Sequence, residues 1–161
     1  MSCSKSTSVQ IWLFGYELSD TIIGMTKEKM VIITSKKKAE FLKPLTSSKG
    51  SENSEGTPQV TILIRSKEGN SDNFAKFFEI ITENGKKLGN FSKESFEGNF
   101  YKEMRKELKS RDLETTDISG KLFWYILVSV QLNIGRLHVF SKMPSRVYVI
   151  VDQCVSWSFI F

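Results

Sequence analysis

Phe74, Phe77, Phe78 and Ile81 recur at i, i+3, i+4 and i+7, and no other pattern in this 161-residue chain restricts its fold as much. The spacing puts four apolar side chains on one stripe of a helix, and such a stripe must be buried against another element. The flanks say which kind. Val60-Thr-Ile-Leu-Ile64 precedes it, a β-rich run apolar enough to be expected buried on both faces. Asn84-Gly85 ends it with turn chemistry, and Lys87-Leu-Gly-Asn-Phe91 follows as a short strand candidate. A helix set between two strands predicts an α/β layer structure with parallel pairing and right-handed crossovers in the later half.

The rest of the first 120 residues fits that frame. Thr21–Met25 and Met30–Thr34 are β-rich runs around the polar Thr26–Lys29, which predicts a β-hairpin. Ser35 has the chemistry of an N-cap, and Ala39, Phe41, Leu42 and Leu45 follow at loose helical spacing, limited by Pro44. Thr46–Pro58 contains no large apolar side chain and reads as a solvated loop. Phe100, Met104 and Leu108 mark another amphipathic helix, and Leu113–Ile118 an edge strand. In Ile11–Thr21, Trp12, Phe14 and Tyr16 crowd around Gly15; the expectation is that they seal the lobe where the chain enters the hairpin, Gly15 allowing a tight turn.

Composition changes at Gly120. Seventeen of the eighteen acidic residues precede it, and the remainder is rich in Phe, Trp, Ile, Val and Ser. Three parts are therefore expected: a polar leader, 1–9; an α/β lobe, 10–119; and a divergent, aromatic-rich tail, 120–161, unrelated to the lobe and not expected to fold with it. A read-through or misassembled exon would account for such a tail. The leader lacks the apolar core of a signal peptide, and the longest apolar run, Leu122–Val128, is far short of a membrane span.

Little in the sequence offers chemistry. Cys3 and Cys154 are far apart, which matches neither a zinc site nor a disulfide scaffold and fits a reducing compartment. The single histidine, His138, has no partner in sequence, and no glycine-rich nucleotide cradle occurs. Glu17 and Asp20 form a carboxylate pair beside the aromatic patch, but acid–base work needs a pocket that the sequence does not announce. They are expected to solvate the start of the hairpin. No metal, cofactor, catalytic residue, membrane or small-molecule substrate is expected. The net charge of +5 tolerates acidic partners without requiring one. The sharpest feature is Ser35-Lys36-Lys37-Lys38, three cations on the first turn of a helix, where they oppose the helix dipole. These four residues are the candidate contact for an acidic or histone partner.

The stretches WLFGYELSDTI, SKKKAEFL, LIRSKEGN, NGKKLGNFSKESFEGNF and DIS, in that order and spacing, resemble the N-terminal domain of the large subunit of the FACT histone chaperone, over Gln10 to about Ser119. The resemblance implies the small, mixed-sheet lobe of the creatinase and aminopeptidase P N-terminal type, incomplete here, with a helix and first strand of the family missing before WLFGYEL. It implies a non-catalytic module that binds core histones and nucleosomes in a complex reorganising chromatin during transcription elongation, DNA replication and repair. Its setting would be the nucleus and the chromosome. Its further partner would be a smaller subunit of the high-mobility-group-box type, met through regions outside the matched part. The alternatives are the non-catalytic lobe of an aminopeptidase P-type metallopeptidase, or a truncated isoform without function.

Overall fold

A computed structural model of the chain describes residues 4–26, 28–46, 58–83, 85–91, 93–94 and 97–119, together with the backbone of 148–152. Helix α1 spans Lys5–Phe14, strand β1 Ile22–Met25, β2 Lys29–Thr34, α2 Lys36–Leu42, β3 Gln59–Ile64, α3 Ser71–Thr82, β4 Lys87–Asn90, α4 Asn99–Ser110, β5 Glu114–Asp117 and β6 Tyr148–Asp152. A short 3-10 turn, Lys43–Thr46, extends α2.

The strands form one mixed sheet in the order β3-β2-β1-β6-β4-β5. β1 and β2 are the predicted hairpin, antiparallel with Met25 opposite Met30. The Thr26 hydroxyl accepts from Lys29 N at 2.8 Å and closes the turn. β3 lies parallel to β2, and β5 parallel to β4. β6 is last in the chain and central in the sheet, antiparallel to β1 and parallel to β4.

Alternation along the strands divides the interior into two layers, as a pleated sheet covered on both faces requires. Ile22, Val31 and Ile33 face one way and pack on Phe74, Phe77, Phe78 and Ile81 of α3 and on Phe100, Tyr101 and Met104 of α4. Ile23, Met25, Met30 and Ile32 face the other way and pack with Val9 of α1, Leu18 and Leu42 of α2. All four apolar positions that defined the α3 stripe are buried. Gly24 lets α3 approach: a Cβ there would sit 2.7 Å from Phe77 Cζ and closer still to Ile81.

Three expectations are revised. β3 is an edge strand, half-buried through its middle and exposed at its ends with Ile64 at 53%, because among the described residues no strand covers its outer side. The polar leader 1–9 already contains the start of α1, whose first turn is held by Ser4 as N-cap. Within 120–161, Tyr148–Asp152 joins the sheet. His138, Cys3, Cys154, Trp124 and Trp157 lie outside the described residues, as does most of the loop between Thr46 and Pro58.

Candidate functional site

The aromatic patch at Ile11–Tyr16 is built by a helix ending. α1 stops at Gly15, which takes φ 82° and donates its N–H to Ile11 O at 2.8 Å. Trp12, Leu13, Phe14 and Tyr16 pack half-buried onto the layer beneath α1 and α2. Tyr16 meets the Phe41 ring edge-on at 5.0 Å between centroids. Burial raises the Tyr16 hydroxyl above its ordinary pKa. The expected sealing role holds, while Phe41 itself remains 66% exposed.

Ser35 occupies the N-cap of α2 without a side-chain capping bond. The three lysines that follow are not equivalent. Lys36 and Lys37 are exposed. Lys38 is half-buried, and its ammonium donates to the Ser19 carbonyl and, at 2.8 Å, to the Ser19 hydroxyl. Desolvation lowers its pKa, with Arg65 acting in the same direction; Asp20 and Glu17 oppose the shift. Lys38 thus ties α2 to the loop before β1. The carboxylates Glu17 and Asp20 act here as counter-charges to that lysine.

Asp20 is the one non-glycine residue with positive φ, 52°, among the described residues. Asp tolerates that conformation better than most side chains do. Its carboxylate lies 4.0 Å from the Arg65 guanidinium. Arg65 leaves the end of β3, its N–H bonding Thr34 O at 2.7 Å, and stacks over the Phe100 ring at 5.0 Å. A cleft of about 350 Å³ opens here, lined among others by Asp20, Arg65, Lys67, Asn70, Gly98 and Glu103. Its wall is fixed: Asn70 Oδ1 accepts from Ser66 N at 2.9 Å, Asn70 Nδ2 donates to Ser66 O at 3.1 Å, and Asn73 Nδ2 donates to Ile64 O at 2.9 Å. The starts of α3 and α4 both border it, with Asn70 and Gly98 as N-caps and no side-chain capping bond at either.

Sequence reasoning found Ser35 and the lysines but did not connect them with Arg65, Lys67 or the turn at Gly98. A signal was present in the arginine and lysine at the end of a predicted strand, followed by Gly-Asn before a helix. Among the described residues no group of three His, Cys, Asp or Glu is placed to hold a metal ion, and no helix is long and apolar enough to cross a membrane.

Comparisons with known proteins agree with this architecture. Two solved structures share the fold. One is the N-terminal domain of FACT complex subunit SPT16 from Cicer arietinum, with TM-score 0.66 and 23% identity, over 76% of this chain and 29% of that one. The other is the same domain from Eremothecium gossypii, with TM-score 0.60 and 28% identity, over 76% of this chain and 27% of that one. The FACT complex subunit spt-16 of Caenorhabditis briggsae is 33% identical over 117 residues, 72% of this chain and 11% of that protein. That of Candida albicans is 38% identical over 101 residues, 62% of this chain and 9% of that protein. The chain therefore spans about a tenth of the length of the curated relatives it matches. The family model of the FACT complex subunit SPT16 N-terminal lobe domain matches residues 1–121, three quarters of the chain, and with the shared sheet and helices this shows that the chain belongs to that family.

Proposed function

We propose that this chain is a non-catalytic binding module of the FACT type, which holds core histones or nucleosomes within a chromatin-reorganising complex in the nucleus. The observation that carries the proposal is the family match over residues 1–121, which includes every described element except β6. The processes served would be those of the complex: transcription elongation, replication and repair. The smaller high-mobility-group-box subunit would be met through other parts of the full-length relatives. The working unit would be the lobe, extended at its start to take in the whole of α1 from its Ser4 cap.

Within the lobe, Ser35, Lys36 and Lys37 form the contact for an acidic surface of the partner, and Lys38 positions their helix. Supporting this division, Lys36 and Lys37 are exposed, whereas Lys38 bonds Ser19. Lysines that reach into water associate with anionic surfaces by steering more than by tight pairing.

The test is retention of core histones by the full chain, compared with Lys36→Glu/Lys37→Glu and with Lys38→Gln. The double variant is expected to lose most binding, with a steep salt dependence in the parent. Equal retention by all three proteins would remove the lysines from the contact. No retention by any would leave the module reading without support. An X-Pro peptidase assay is expected to show no turnover, and turnover that responds to added divalent metal would overturn the non-enzymatic reading.

A further inference from the structure

The cleft beside Arg65 is built from chain segments far apart in sequence. Asp20 comes from the loop before β1, Arg65 and Lys67 from the turn after β3, and Gly98 and Glu103 from the start of α4. Its lining carries an arginine, a lysine and two carboxylates, with Asp20 beside Arg65. Its volume of about 350 Å³ exceeds what a single small ion needs and falls within the range of sites that hold a side chain or small ligand.

Arg65 is the centre of its chemistry. The guanidinium sits over Phe100, 5.0 Å from the ring centroid, and borders the cleft. Its ion pair with Asp20 is at 4.0 Å, the outer limit for such a contact, and the Asp20 side chain is 61% exposed. A pair of that kind contributes little and is readily exchanged. An incoming group with greater charge and three acceptor oxygens would displace the single carboxylate from Arg65. Lys67, exposed on the same turn, supplies a second cation. The starts of α3 and α4, with no side-chain capping bond at either, also border the cleft and add a favourable dipole, though Asp72 in the first turn of α3 offsets part of it. Gly98 takes φ 113° at the entrance to α4, where a Cβ would meet only the Tyr101 ring at an ordinary 3.8 Å.

The two carboxylates in the lining select what carries that group. A nucleic-acid backbone, charged at every step, would run against Asp20 and Glu103. A peptide with one strong anion and basic neighbours would satisfy both kinds of charge. We propose that this cleft binds a phosphorylated serine or threonine side chain of a basic peptide, the phosphate on Arg65 and Lys67 and the flanking lysine or arginine on Asp20 and Glu103. The proposal deepens the binding-module reading and rests on it for the nature of the peptide. The site itself rests on the cleft's own geometry.

The experiment titrates the full 161-residue chain with a Lys/Arg-rich peptide carrying one phosphoserine, its unphosphorylated twin, inorganic phosphate, and a short single-stranded oligonucleotide. Amide resonances and affinity are followed together. The phosphopeptide is expected to bind about tenfold or more tighter than its twin, the scale of one charge-assisted pair. The shifts should centre on Lys67, Asn70, Gly98 and Asn99, with inorganic phosphate moving the same amides weakly. Arg65→Gln and the exposed Lys67→Gln should reduce the preference, and Asp20→Asn should increase it by freeing Arg65. Lys36→Glu/Lys37→Glu should leave it unchanged. Equal affinity for the two peptides, or an oligonucleotide that competes as well as the phosphopeptide, would overturn the cleft while histone retention still stood. Failure of both the peptides and the histones to bind would overturn the module reading as well.

Discussion

The two faces of the sheet are built to different standards. Beneath α3 and α4 the centre is tightly closed, with Phe74, Phe77, Phe78, Ile81 and Tyr101 all 2% exposed or less, and its margin is made of the partly buried Leu63, Ile80, Leu108 and Leu113. Beneath α1 and α2 the central positions, Ile23, Ile32 and Leu42, are equally buried, but the rim is left open, with Phe41 66% and Ile11 44% exposed. That second face also relies on polar fixtures. Gln10 is fully buried with Oε1 accepting from Leu18 N at 2.7 Å, and the Thr21 and Thr34 hydroxyls share a 2.7 Å bond. The α3/α4 face secures the fold by apolar packing. The α1/α2 face positions a helix with lysines and an aromatic edge at the surface, and accepts incomplete burial in return.

The sharpest way to break this contrast is a pair of matched truncations. Phe77→Ala removes a ring with no exposure and is expected to cost about 3–5 kcal/mol in urea unfolding. Phe41→Ala, on the open rim, loses the Tyr16 edge contact and is expected to cost under about 1 kcal/mol. Similar losses from both would mean that the rim is as structural as the core.

The contrast also explains what was legible in the sequence. α3 could be read because its buried face is purely apolar at helical period, and the hairpin because two β-rich runs flank a polar turn. α1 escaped because its buried positions include Ser6, Thr7 and Gln10, while Ile11 points outward, which inverts the expected pattern. Beyond the local Ser4 cap, its start is held by a long-range contact that no local rule encodes: the Glu94 carboxylate accepts from Lys5 N at 2.5 Å and from the Ser6 hydroxyl at 2.6 Å. β6 is a β-branched run whose place between β1 and β4 depends on pairing across the whole chain. The lysines could be read as a cluster, but the separation of Lys38 from its neighbours needs the Ser19 loop folded beside it. The cleft needs three distant turns brought together; the Arg65–Asn70 turn has a local signal, but nothing in the spacing announces its meeting with the other two.

A smaller effect sharpens the packed side. Gly24→Ala is expected to cost about 1–3 kcal/mol, because the new methyl overlaps Phe77 and Ile81. Combined with Ile81→Ala, the loss should be less than the sum of the two single changes, since the same space is emptied and filled. Strict additivity in the double variant would show that α3 does not approach β1 as closely as the overlap requires. On the other face, Gln10→Ala leaves the buried Leu18 N–H without its acceptor and is expected to cost roughly 1–2 kcal/mol.

The smallest effect is a pH dependence on the α1/α2 face, with two opposing parts. Lys38 has its pKa lowered in the folded protein, first by desolvation, so between that value and 10.5 the unfolded chain binds more protons than the folded one. Its contribution is fully present above 10.5 and fades as pH falls through the folded value; stability therefore rises with pH across that window. Tyr16 is shifted the other way: burial raises it above 10.0, so from 10.0 upward the folded protein holds the proton that the unfolded chain releases, and stability falls. The Lys38→Gln variant should lose the rise below 10.5, and Tyr16→Phe should lose the fall above 10.0. Both are read as Tm against pH relative to the parent. Because both groups stand near the surface, each change should be small and should leave the Phe77→Ala loss unaltered. If Lys38→Gln left the alkaline profile unchanged, Lys38 would be as freely solvated as Lys36 and Lys37, and the three lysines would have to be treated as one exposed cluster.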